Sequence, residues 1–174
     1  MLRPVNWNSG PPSGSGHLPR RVRSLLHLRG GIVSTRELRE LGVDQTTLEL
    51  YRDYGALQAV RQGWHCSPDL PSVLRLAWRF GGPLACVSAL QLHAAELAGA
   101  QITSATIPEP LHVVVPTNTP RVPNPSLLAR RWNIDEPLTP VIHWSTSDVH
   151  SGNRQAVSRT VALRQTDHCE HVDG

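Results

Sequence analysis

The chain has 174 residues, 39% hydrophobic and 18% charged, with a formal net charge of +3 and a pI of about 9.1. That length holds one ordinary domain or two small ones, and the composition can close a core, which excludes wholesale disorder. All 17 basic residues are Arg, which excludes Schiff-base lysine chemistry, a P-loop lysine and a lysine-dependent nuclease centre.

Residues 1–16 are rich in Pro, Gly, Ser and Asn and read as a flexible arm with no apolar run, so no signal peptide is expected. A helix is expected over His17–Leu28, with Val22, Leu25 and Leu26 on one side and Arg20, Arg21 and Arg23 on the other. Gly30 and Gly31 end it. Ser34 and Glu37 form a capping box for a second helix, Val33 and Leu38 its hydrophobic staple, and Gly42 its stop. Leu38 and Leu41 are expected to face inward. After a three-residue turn, Gly42 to Asp44, Asp44 caps a third helix over Gln45–Asp53, with Leu48 and Tyr51 on its buried face. From Ala56 to Ser67, "ALQAV", "RQG" and "WHCS" read as two strands around a tight turn.

Beyond Pro68 the pattern changes. "DLPSVLRLAWRF" reads as a helix with Asp69 as its cap, and "PLACVSALQLHAAELAGA" as a second. The run Leu84–Ala100 is too polar and short to span a bilayer. "LHVVVP" and "PVIHW" read as apolar strands, separated by Pro- and Asn-rich loop sequence and "LLARRWNIDEPLT". The segment after Trp144 reads as a polar tail. The expected class is α+β: a winged helix-turn-helix at 17–68, then a small α/β domain at 69–150 and a polar tail at 151–174.

Helix, short helix, turn, helix and hairpin is the order of a winged helix-turn-helix, a reader of double-stranded DNA. Gln45, Thr46 and Thr47 open the recognition candidate with short polar groups for base edges or phosphate, and the helix N-terminus itself favours phosphate. Arg61 and Gln62 sit at the expected wing tip, and Arg36 and Arg52 add cationic groups. Between His17 and Pro68, eight Arg against five acids leave +3, the net charge of the whole chain. Winged helices also dock proteins, so a protein-interaction module remains the alternative.

The chain resembles the AbiEi-type antitoxin family of type IV toxin-antitoxin systems. The likeness rests on "GGIVSTRELRELGVDQTTLELYRDYGALQAVRQGWHCSP", "GGPLACVSALQLHAA", "PLHVVVPTNTPRV" and "VIHWS", in that order, over residues 18–145. The resemblance implies a transcriptional autorepressor that opposes a nucleotidyltransferase toxin. Carried over by motif position, Arg36, Gln45, Thr46, Thr47 and Arg61 would contact DNA. Gln62 stands where the family has a basic wing residue, and Trp64 and His65 replace an aliphatic-aromatic pair. Many relatives continue into a Vsr-like nuclease fold, which would begin near His168–Gly174. A phage or host protein is the partner expected of an immunity or exclusion factor.

No catalytic site is expected. There is no Gly-x-Ser-x-Gly elbow, Ser88 reads as a packing residue, and Asp135 and Glu136 lack the lysine a restriction-type nuclease requires. The tail cluster His168, Cys169, Glu170 and His171 is spaced too tightly for one tetrahedral site, so no metal or cofactor is expected. Cys66, Cys86 and Cys169 form an odd, sparse set that fits a reducing cytoplasm without disulfides. His112 and His143 fall on the two apolar strands and would share a face if those strands pair. Trp64, Trp78, Trp132 and Trp144 are expected to pack in the core or between domains, and Arg130–Arg131 is expected on a solvated loop edge, with a second DNA-backbone contact as the alternative.

Overall fold

The computed structural model describes residues 18–100, 102, 110–133 and 139–169. The expected arm at 1–16, the carboxylates Asp135 and Glu136, and Glu170 and His171 lie outside the described residues. The fold is α+β, in two compact units, Met1–Asp69 and Leu70–Gly174.

The first unit runs α1 (Arg20–Leu28), β1 (Ile32–Ser34), α2 (Thr35–Glu40), α3 (Gln45–Asp53), β2 (Gln58–Arg61) and β3 (Trp64–Cys66). Its antiparallel sheet has the order β1-β3-β2. Each helix is short enough to be marginal alone, and each turns an apolar face into one core. Val22 and Leu26 of α1, Leu38 of α2 and Leu48 of α3 meet Leu18, Val33, Val43, Ala56 and Leu57 there, with Leu25 and Tyr51 against them.

Local chemistry sets the helix ends. Ser34 Oγ accepts the Glu37 N–H at 3.2 Å while Glu37 Oε2 accepts the Ser34 N–H at 2.9 Å, completing the capping box. At the other end of α2, the Val43 N–H reaches the Leu38 carbonyl (3.0 Å) and the Gly42 N–H the Arg39 carbonyl (2.9 Å). This Schellman closure needs a left-handed residue, and Gly42 supplies it at φ +85°.

Two readings of this unit need correction. Leu41 is the C-cap of α2 and lies 36% exposed rather than inward, because the chain has left the helix there. Ile32–Ser34 is a strand paired with β3, an element that the expected order of helices and hairpin does not include.

The second unit contains α4 (Ser72–Phe80), α5 (Cys86–Leu97), β4 (His112–Val115), α6 (Pro125–Trp132), β5 (Val141–Trp144) and α7 (Arg159–Cys169), with a 3-10 turn at Asp148–His150. β4 and β5 are parallel, pairing His112 with Val141 and Val114 with His143. Parallel strands require a crossover, and α6 lies within it. All four residues of β4 are buried, as expected of a strand covered on both faces. Gly82 passes against the Val114 carbonyl, where a Cβ would collide with it.

Four expectations change here. The N-cap of α4 is Pro71, not Asp69, and its first turn has no side-chain cap. "PSLLARRW" is helical rather than loop, started by Asn124 Oδ1, which accepts the N–H groups of Ser126 and Leu127, with Pro125 in the first turn. The polar tail instead carries α7, which packs on α5 and buries Ala162 and Gln165. Trp144 is 51% exposed, whereas Trp78 is buried and donates Nε1–H to the Arg154 carbonyl at 2.6 Å. The Arg79 guanidinium lies 4.0 Å from the Trp132 ring centroid.

Candidate functional site

In the first unit the expected DNA-reading residues are dispersed over α2, α3 and the hairpin. Gln45 and Thr46 are exposed in the first turn of α3, Thr47 is half-buried beside them, and Arg52 is exposed in its last turn. The Gln45 amide donates to Glu49 Oε1 at 2.7 Å, one turn along the same helix. The Asp44 carboxylate accepts the Thr47 N–H at 2.7 Å, and that backbone bond, with a second from the Thr47 side chain, holds it below the usual carboxylate range. A negative charge thus already caps the end of α3 at which a phosphate was expected. Arg36 is exposed on α2 and pairs with Glu40 at 3.0 Å. The exposed face of α3 further carries Leu50, Asp53 and Tyr54.

The hairpin turn is Gln62-Gly63. Gln62 is exposed, and Arg61, the last residue of β2, is half-buried, with burial lowering its pKa. A register shift between Ala59 and Arg61 bends the strand just before the turn. The start of α2 holds the hairpin: the Thr35 N–H reaches the Gly63 carbonyl at 2.8 Å, and Thr35 Oγ1 lies 3.0 Å from His65 Nε2. His65 is buried, and its Nδ1 has no hydrogen-bond partner among the described residues; burial first, then the Arg52 charge, pushes its pKa down to about 4.

The densest chemistry lies in the second unit, where sequence reasoning placed none. Cys86 begins α5, His112 begins β4, His143 stands in β5 and Cys169 ends α7. The parallel register puts His112 and His143 on one face, their Nδ1 and Nε2 atoms 3.0 Å apart. Cys86 Sγ is 3.5 Å from Cys169 Sγ, which lies 3.5 Å from His143 Nε2 and 3.9 Å from His112 Nδ1. All four ligand atoms fall within 4.8 Å of one another. Cys86 and His112 are buried; His143 and Cys169 are half-buried. His168, counted with Cys169 in the tail cluster, instead bonds the Arg164 carbonyl.

A second layer of contacts fixes these groups. Gln165 Oε1 accepts the Cys86 N–H at 2.9 Å, and Gln165 Nε2 donates to Asp148 Oδ2 at 3.0 Å. Arg164 donates to Asp148 Oδ1 at 2.7 Å. Burial raises the Asp148 pKa, but hydrogen bonds from Arg164 and Gln165 outweigh it and hold the carboxyl below its usual range. Ser88 is fully buried, as a packing residue would be, and its Oγ also accepts the His112 N–H at 3.0 Å, which ties α5 to the start of β4. Cys86 itself adopts φ +48°, in the left-handed region that β-substituted residues avoid.

No family model matches the chain, and no curated protein matches it.

Proposed function

We propose that the first unit is a winged helix-turn-helix that binds duplex DNA, and that the protein is a cytoplasmic transcriptional repressor of the AbiEi antitoxin type, acting by binding rather than catalysis and opposing a toxin partner. The observation that carries this reading is the order α1-β1-α2-α3-β2-β3, with a Gly42-closed turn that leaves Gln45 and Thr46 exposed at the start of α3. Arg20, Arg21 and Arg23 of α1 and Arg39 of α2 are exposed in the same unit, consistent with phosphate binding.

A second reading, protein docking, is favoured by one specific observation. The face of α3 that would enter a groove carries Glu49 and Asp53 beside Leu50 and Tyr54, which are 47% and 52% exposed. Carboxylates oppose phosphate, whereas apolar groups among charges suit a protein partner.

Binding of the full chain to DNA from upstream of its own gene, and to a scrambled duplex, across a salt series separates the two. A DNA reader prefers the upstream fragment. Gln45→Ala then loses about 1–3 kcal/mol on that fragment alone, while Arg36→Ala weakens both duplexes and reduces the salt slope by about one. No binding to either duplex at low salt would discard the DNA reading and leave docking.

A further inference from the structure

We propose that Cys86, His112, His143 and Cys169 form a structural zinc site that ties α5, β4, β5 and α7 together. Zinc is bound tetrahedrally by thiolate and imidazole, with Zn–S of about 2.3 Å and Zn–N of about 2.0–2.1 Å. Those bond lengths require edges of about 3.8 Å between sulfurs, about 3.6 Å between sulfur and nitrogen and about 3.3 Å between nitrogens. The distances are 3.5 Å for the sulfur pair, 3.5 and 3.9 Å for Cys169 to the two imidazoles, and 3.0 Å for the nitrogen pair. The remaining edges, from Cys86 Sγ to the two imidazoles, are no longer than 4.8 Å, so a single ion inside this group reaches all four atoms after side-chain shifts of up to about an ångström.

The donor set selects the metal. Two sulfurs and two imidazole nitrogens in a tetrahedral array suit zinc and poorly suit magnesium or calcium, which take oxygen ligands. Four protein ligands close the coordination sphere, which marks a structural rather than catalytic centre. Binding converts both thiols to thiolates and releases two protons to solvent, while both imidazoles bind in their neutral form.

The surroundings are those of a built site. The ligands come from four separate elements, so the ion closes long loops rather than a local knuckle. The Cys86 backbone is held in its unfavourable conformation by Gln165, which Asp148 orients in turn. Ser88 fixes the backbone of His112. Such outer contacts orient metal ligands and tune their affinity.

The test uses the full chain, reduced and stripped of metal with a chelator, titrated first with cobalt(II) and then with zinc(II). One equivalent of cobalt is expected, with the intense visible bands of tetrahedral cobalt and thiolate-to-cobalt charge transfer, and zinc displaces it stoichiometrically. His143→Asn and Cys169→Ser each weaken cobalt binding by about 100-fold or more, beyond the loss expected for an outer-shell partner, whereas Cys66→Ser, outside the group, leaves it unchanged. Should either ligand variant fail to fold, X-ray absorption of the zinc-loaded wild type decides, with two sulfur and two nitrogen neighbours expected. Substoichiometric or octahedral cobalt in the reduced wild type would overturn the site. So would unchanged binding in both folded ligand variants, or a Cys86–Cys169 disulfide in protein isolated anaerobically.

Discussion

Gly42 carries the turn between α2 and α3. Its φ of +85° lies in the left-handed region, and a Cβ built there meets nothing within 4 Å. Substitution therefore tests backbone conformation without a steric clash. Gly42→Val should lower stability by about 1–2 kcal/mol, and Gly42→Asn should lose distinctly less because Asn tolerates this conformation. Urea midpoints of the three proteins check this; equal midpoints for Val and Asn would place the cost elsewhere. Gly42 was legible because a helix stop is a local event. The four ligand residues were not. His112 and His143 are 31 residues apart, His143 and Cys169 26, and Cys86 and Cys169 83. Short-spacing motifs identify zinc sites built on one turn or hairpin, whereas this group exists only after two strands pair and two helices pack.

Among the elements, those with signals inside their own sequence were legible and those created by tertiary contact were not. The third helix was read with the bounds Gln45–Asp53 that the structure gives it, since Asp44 caps its start. β1 has only three residues, too few to display an alternation, and exists because β3 lies beside it. The start of α6 is hidden in the sequence because Pro and Asn suggest loop, although Asn before Pro is also a helix start. α7 turns Gln165 inward as well as Ala162, so hydrophobicity alone hides its buried face. α2 offers the cleanest test of local encoding. It is six residues long, and its capping box satisfies N–H groups at both Ser34 and Glu37. Ser34→Ala should cost about 1 kcal/mol and raise hydrogen exchange first at the amides of α2. A loss spread evenly over the unit would mean that Ser34 supports the sheet rather than the helix.

At the scale of the whole molecule, the two proposed activities rest on separate sets of contacts. The basic excess and the proposed DNA-reading elements belong to Met1–Asp69, and every ligand of the proposed zinc site belongs to Leu70–Gly174. Among the described residues, no helix is long and apolar enough to cross a membrane. The core of the first unit is closed by its own residues, so its fold does not draw on the Cys/His group. In the second unit, β4 and β5 form a sheet of only two strands. A two-stranded sheet is marginal without further support, and a metal fastening both strands to α5 and α7 would supply it. Chelation of the zinc-loaded chain should therefore raise amide exchange in β4, β5 and α7 while leaving α1 to β3 at their starting protection. Affinity for the upstream DNA, if the first unit reads DNA, should change less than twofold. Exchange mass spectrometry and DNA titration on the same metal-free sample measure both. Loss of DNA binding on chelation, with exchange in the first unit unchanged, would instead make the centre in the second unit a regulator of the DNA-binding surface.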